Sequence, residues 1–297
     1  MSASQSPTVR RRRLGMELRK RRESAGMRIE DVARALECSM SRVSRIETGR
    51  SVARSRDVRD MLKLFGVTDK AECELLTAIA REAQQKGWWS TYEGVLPAGL
   101  DTYVGFEESA ASLRTFHNTL VTGLLQTEEY ARAAVTAALH TNDREEIERL
   151  VRLRMRRQEL LTRESPLELW VILDEALLRR PIGGPEVMRA QLVRLLEAAE
   201  LPNVTLQVLP FARGGHAGLD GPFTIITFPD PTDLDVVYVP GTVWNSFLER
   251  EKDVHRHTAC FDHLRAEALP PDESAELIAE AADGHKSSST SVSTSAR

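Results

Sequence analysis

The residues with most to say about chemistry lie between Ile29 and Arg50, in the run IEDVARALECSMSRVSRIETGR. Ile29, Val32, Ala33 and Leu36 recur at i, i+3, i+4 and i+7, which makes one apolar helix face. A second short helix follows, with Val43 and Ile46 as its inward pair; Met40, Ser41, Ser44 and Arg45 are left pointing elsewhere. Ser39 is placed to cap that helix, its hydroxyl accepting an amide of the first turn, and Gly49 is placed to stop it. A helix this short buries little, so its polar face is available to touch something. Arginines surround it on every side, and DNA is the first candidate.

The stretch resembles the helix-turn-helix of lambda-repressor-like (Xre family) bacterial regulators. Ala33 stands where the two helices pack closest, Val43 and Ile46 fill the inward positions of the recognition helix, and Ser44 to Gly49 matches the signature at that helix's end. Three positions depart from the pattern. Arg28 and Ile29 replace a capping Thr and a phosphate-binding Gln, and Glu37 replaces a turn Gly of positive φ, at a cost of about 1 kcal/mol. The resemblance implies that Met40, Ser41, Ser44 and Arg45 face the major groove. Arg45 would bind both acceptors of a guanine with its fork, Ser41 and Ser44 are permissive readers, and Met40 would pack on a thymine methyl. Ser39, Arg42, Arg50 and Arg54 are assigned to phosphate, which sets register rather than sequence.

Other stretches carry chemistry-bearing residues in less specific patterns. His255, His257, Cys260 and His263 share one expected helix, but His255 and His257 are two apart and face different ways, whereas helical ligand pairs want i, i+4. No metal and no cofactor are expected. The run Gly214 to Pro222, GGHAGLDGP, has the glycine content of a phosphate loop without its Lys-Ser/Thr pair or helix start. A ligand or partner pocket near it would draw on Asp174, Glu175, Arg179 and His216. Acid–base catalysis by those carboxylates is the weaker reading, since LDEALL reads as a strand end and helix start. No nucleophile motif or nucleotide fingerprint appears, and the chain is not expected to be an enzyme.

The elements that position these residues divide by charge. Residues 1–65 hold 17 Lys+Arg against 8 Asp+Glu, about +9, and the rest 23 against 36, about −13. The basic part coincides with the helix pair, and on charge grounds the acidic part is not expected to share its ligand. Three scattered cysteines, Cys38, Cys73 and Cys260, suit a reducing cytoplasm. No run is long and apolar enough to span a membrane, and no secretory signal is evident.

In order, residues 1–13 read as a disordered arm whose Arg10 to Arg13 either lies along DNA or is simply solvated. Residues 14–86 read as a five-helix domain: a first helix through Leu14 and Leu18, the helix pair, a fourth helix on Val58, Met61, Leu62 and Phe65, and a fifth with Leu75, Leu76, Ile79 and Ala83 inward. Residues 87–99 read as a junction, with Trp88 and Trp89 packed between domains or offered as a stacking surface. Residues 100–283 form the second domain: a helix from Thr102 to Phe116, a helix capped by Thr127, and a long charged helix from Asp143 to Arg163 with a salt-bridged face. Strands follow at 167–173, 204–209, 223–228 and 236–239, with a helix at 185–200 between the first two, and then a helix from Thr242 to Ala268. Residues 284–297 read as a disordered Ser/Thr tail. The fold class is α+β, an all-α repressor-type domain followed by a mixed α/β domain with a small, mostly antiparallel sheet and helices on one side.

The segments QKGWW, LVTGLLQTEEYARA, LDEALLRRPIG and HAGLDGPF widen the resemblance to residues 14–282. They are similar to landmarks of bacterial regulators that couple a repressor-type domain to a C-terminal domain of poorly understood role. That family is described as antitoxin-like and its genes commonly lie beside one for a short partner protein. The resemblance implies a cytoplasmic, nucleoid-associated transcriptional regulator, a homodimer on double-stranded DNA, whose C-terminal domain receives a small protein partner or a ligand. The alternative is an interaction protein that mainly sequesters a small partner, with DNA binding secondary.

Overall fold

The computed structural model describes residues 6–138, 143–241 and 245–291, with side chains as far as His285. The chain divides into two compact units, residues 1–91 with 101–109, and residues 92–100 with 110–297. The first unit opens with five helices: α1 (Pro7–Ser24), α2 (Ile29–Ala35), α3 (Met40–Glu47), α4 (Ser55–Leu64) and α5 (Lys70–Glu82). Leu14, Leu18, Val32, Val43, Ile46, Val58, Met61, Leu62 and Leu76 meet in one core. The five expected helices are all present. Leu75, read as inward, instead points out and is 61% exposed, while its neighbour Leu76 is buried.

The disordered arm is corrected over its described part. Ser6 caps α1, its hydroxyl accepting from Val9 N at 3.4 Å, and Pro7 sits in the first turn, where its missing N–H costs nothing. Arg10 to Arg13 therefore lie on a helix. Arg12 is buried, and Arg10 pairs with Glu82 at 3.2 Å. Residues 1–5 lie outside the described residues. A short 3-10 turn at Trp88–Tyr92 follows α5, and then α6 (Leu100–Ser109), whose residues from Asp101 belong to the first unit. Trp88 donates its indole N–H to Glu108 at 2.8 Å, and the buried Trp89 lies against Gly105. The two tryptophans thus pack against α6 inside the first unit, rather than between domains.

The second unit starts with a strand where a helix to Phe116 was expected, β1 (Ser112–His117). After it come α7 (Glu128–Ala138), started by Thr127, whose hydroxyl accepts from Tyr130 N, and α8 (Arg144–Arg157). β2 (Glu168–Asp174), α9 (Ala176–Arg179), α10 (Pro185–Ala199), β3 (Val204–Leu209), β4 (Phe223–Thr227), β5 (Val236–Val239), β6 (Ser246–Leu248), α11 (Glu251–Glu267) and α12 (Pro271–Ser291) complete it. One six-stranded sheet runs β3-β2-β1-β4-β5-β6. β1, β2 and β3 are parallel, and the other pairings are antiparallel. The expected helix from Thr242 gives way to β6 and α11, with 242–244 outside the described residues. The tail expected from 284 begins instead as the last turns of α12, and 292–297 lie outside the described residues.

β1 is central, and that explains the misreading. Leu113 and Thr115 on one face and Phe116 on the other are all buried, as befits a strand covered on both sides. Phe116, Ile172, Leu209, Phe223, Ile225 and Val237 form one face with Phe261, Leu264 and Ala268 of α11. Leu169, Val171, Leu206 and Val208, on the opposite face, are buried too, so helices on one side alone are not enough. The α8 face also differs from expectation. Arg154 donates to Gln126 Oε1 at 3.0 Å, and Arg157 is buried beside Gly123, so half of the basic run turns inward. Burial, with Arg157 adding to it, pushes the Arg154 pKa down to about 10.

The turn between α2 and α3 carries the one conformational cost visible in the sequence. Glu37 has φ 50°, the only positive φ at a non-glycine among the described residues. Its side chain is exposed, so Glu37→Gly removes strain without losing packing. Unfolded-chain entropy offsets part of the relief, and the substitution should raise stability by about 0.5–1 kcal/mol. Urea unfolding of the two proteins checks this; a loss of stability would mean that the turn is unstrained.

Candidate nucleic-acid interface

The recognition element is α3, and its placement is built from its two ends. At the start, Ser39 Oγ accepts from Arg42 N at 3.2 Å, as its position in the sequence suggests. The capping oxygen accepts, so its own O–H stays available to donate. At the end Gly49, at φ 66°, lets the chain turn away, with Arg50 N donating to Arg45 O at 2.8 Å. Val43 and Ile46 point into the core. The helix ahead of it starts, as Arg28 in place of a capping Thr suggests, without a side-chain cap, but Asp31 accepts from Arg28 N at 3.0 Å and covers one exposed amide.

α1 fixes the far end of α3 in two ways. A Cβ on Gly15 would stand 2.5 Å from Ile46 O and 2.6 Å from Glu47 O, so the two backbones meet where only glycine fits. Seven residues on, Arg22 grips Glu47 with two hydrogen bonds, Nε to Oε1 at 2.6 Å and Nη2 to Oε2 at 2.9 Å. Both side chains are below a tenth exposed. The remaining Nη1 donates to Met27 O at 2.9 Å. Donating these hydrogen bonds to Glu47 raises the Arg22 pKa further, so the guanidinium is charged at any working pH.

With α3 held, its outer face presents the residues that sequence matching assigned to DNA. Met40 is 52% exposed, a large apolar side chain left in water beside Ser41 and Arg45, which are also exposed. Arg45 Nη1 donates to Ser41 Oγ at 2.7 Å, one turn back on the same face, which aims the guanidinium along the helix. Ser44 is half-buried on that side. Of the residues assigned to phosphate, Ser39, Arg50 and Arg54 are exposed. Arg42 differs, because its Nη2 is tied to Asp57 Oδ2 at 2.7 Å, linking α3 to the first turn of α4. It has other N–H donors to offer, but its position is set by the protein.

The pocket residues expected in the second unit also come together. Asp174 ends β2, and its Oδ1 accepts from Ala176 N at 2.8 Å, the strand end and helix start that LDEALL suggested. His216 Nε2 lies 3.6 Å from Asp174 Oδ2. Glu175 bridges Arg179, at 2.8 Å, and Phe211 N, at 2.9 Å. Asp174, Glu175 and His216 anchor the loop from 210 to 222 onto the carboxyl ends of the parallel strands, and Arg179 holds Glu175 in place. Gly218 brings that loop against Phe116, where a Cβ would come within 2.4 Å of the ring. The glycines of HAGLDGPF thus serve close packing. The same loop leaves Phe211 and Leu219 in water, at 57% and 68% exposed. His257, Cys260 and His263, but not His255, line one cavity of about 520 Å³ with it. Among the described residues no three or more His, Cys, Asp or Glu side chains are grouped to hold a metal. No described helix is long and apolar enough to cross a membrane.

A helix pair clamped from behind, with arginines on its free face, defines a helix-turn-helix DNA-binding regulator. The family model described as a helix-turn-helix domain matches residues 13–76. The model described as Domain of unknown function (DUF5753) matches residues 100–280, and the chain belongs to that family. No curated protein and no solved structure matches the chain. Sequence reasoning missed Arg22 and Gly15, the residues that orient α3. Both lie on the first helix that the sequence predicts, but no local signal shows that α3 packs against them.

The close approach at Gly15 has a testable consequence of unusual sign. In an exposed helix, Gly→Ala stabilises by roughly 0.5–1 kcal/mol. Here Gly15→Ala should destabilise by about 1–3 kcal/mol, because the methyl pushes α1 off the Ile46 and Glu47 carbonyls. Chemical denaturation reads the difference, and a stabilised variant would contradict the packing.

Proposed function

We propose that this chain is a sequence-specific, Xre-type transcriptional regulator, cytoplasmic and not an enzyme, that acts as a homodimer on double-stranded DNA. The observation that carries the reading is the exposed face of α3, with Arg45 projected from a helix that α1 locks in place. Repressor-type domains reach tight binding by placing two recognition helices in half-sites about one helical turn apart, which is the argument for the dimer. The acidic C-terminal unit, about −13 across residues 66–297, is a poor partner for DNA. Its role in this reading is to receive a small partner protein or a ligand, in the manner of an antitoxin-like regulator, and to alter DNA binding in response.

Selection from a random-sequence duplex pool, followed by titration of the selected site across a salt series, tests the reading. The wild type should enrich a two-part site, bound with a steep salt dependence. Arg45→Ala should cost about 1–3 kcal/mol on that site and relax the preference at one base pair of each half. Equal binding to selected and unrelated DNA by the wild type would overturn the reading.

A further inference from the structure

We propose that the C-terminal unit holds a ligand site between α11 and the loop 217–223, built for a small neutral molecule: an apolar body bearing one hydroxyl or N–H donor. The proposal deepens the reading of this unit as a receiver and rests on it. The cavity, about 520 Å³, falls within the range of small-molecule sites. Its floor is apolar, with Phe223 buried and Pro222 and Val239 half-buried. Ala259 of α11 adds a methyl at the exposed edge.

Charge favours no ion. Arg256 and Asp220 are the fixed charges among the lining residues, they are opposite in sign, and both are exposed. Each stays hydrated at the rim, and together they leave the cavity without net charge. What remains inside is one acceptor. His257 is half-buried, and its Nδ1 lies 2.8 Å from the Asp253 carbonyl oxygen, which only accepts. In the neutral ring Nδ1 therefore carries the proton, and Nε2 is left with a lone pair. No described residue donates to Nε2. The ring stands edge-on to Phe223 at 5.2 Å, beside the cavity floor. A ligand that fills the apolar space and excludes water must itself donate to Nε2, or leave a buried acceptor unsatisfied. That requirement selects a hydroxyl or N–H on an apolar body, and disfavours an anion that has only acceptors to offer.

The walls are held before any ligand arrives, and the other half-buried polar side chain is already used. Cys260 Sγ donates to Ala217 O at 3.3 Å and ties the loop to α11. Burial pushes that thiol's pKa up, so it stays protonated as a donor. On its other side the loop is pinned by Gly218 on Phe116 and by His216 against Asp174. A preformed cavity loses little of its binding energy to ordering.

Equilibrium dialysis of the full-length protein at about pH 8, above the ordinary histidine range, tests the site with three probes that share one ring system. 2-Naphthol carries the O–H donor, 2-methoxynaphthalene lacks it, and 2-naphthoate is an anion. One saturable class of naphthol binding is expected, about tenfold tighter than that of either other probe. His257→Phe, which keeps a ring beside Phe223 but removes the acceptor, should bring naphthol and methoxynaphthalene to within about twofold of each other. Ala259→Trp, at an exposed position on α11, sets a bulky ring across the opening without touching the core and should weaken naphthol at least about tenfold. No saturable binding, equal affinity for the three probes, a preference for naphthol that survives His257→Phe, or unchanged affinity in Ala259→Trp overturns the proposal. DNA selection without the probes reports separately on the regulator reading, so one can fail while the other stands.

Discussion

The placement of α3 in the first unit rests on a buried ion pair that no local pattern announces. Arg22 and Glu47 are 25 positions apart, face each other through two short hydrogen bonds, and are almost fully withdrawn from water. Taking both charges out of water is expensive, and the pairing roughly offsets that cost rather than adding much stability. What it contributes is orientation. A two-pronged bond between a planar guanidinium and a planar carboxylate allows little rotation, and it joins the last turn of α1 to the last residue of α3. Beside it, Gly15 lets the two backbones touch. Helix α3 is therefore held by its C-terminal end from behind, while Val43 and Ile46 seat its inner face in the core.

That division explains the departures from the family pattern. Where a side-chain cap is missing at the start of α2, Asp31 supplies the acceptor from inside the helix. Where glycine is missing from the turn, Glu37 accepts a strained backbone, a cost small beside what the core provides. Arg42 shows the opposite economy: a side chain facing DNA by position is fastened to Asp57 and so shapes the surface before contact. The second unit repeats the theme with different parts, since Asp174, Glu175 and His216 use their polar atoms to fasten one loop over the sheet.

The legible parts of the fold are those with local causes. The α2 and α3 faces, the Ser39 cap and the Gly49 stop all follow from residues within a turn or two of one another, and the positive φ at Glu37 was implied by the resemblance to the family's turn. The parts that were not legible have distant causes. Arg10 to Arg13 look like a solvated arm until Ser6 and Pro7 are seen to start a helix beneath them. β1 reads as helix because a strand buried on both faces does not alternate, and its partners lie at 168–174 and 223–227. Leu75 and Leu76 are equally apolar, and only the packing of α5 decides which is buried. At the DNA face, the outward residues could be identified from sequence but not what aims them. In the second unit, Asp174, Glu175, Arg179 and His216 were grouped as a pocket beside the loop, but none of the four lines the cavity there. The cavity on its α11 side gathers residues 217–263, which no single stretch displays.

The most direct test of the clamp is hydrogen exchange over residues 40–50 in the full-length protein. Glu47→Ala leaves Arg22 buried without its carboxylate, a loss of about 3–5 kcal/mol, so exchange across α3 should speed up on the order of 100-fold or more. Arg22→Met with Glu47→Leu, which removes both charges together, should restore most of the protection. Unchanged exchange in Glu47→Ala would show that α3 holds its place without the pair, and would contradict the account.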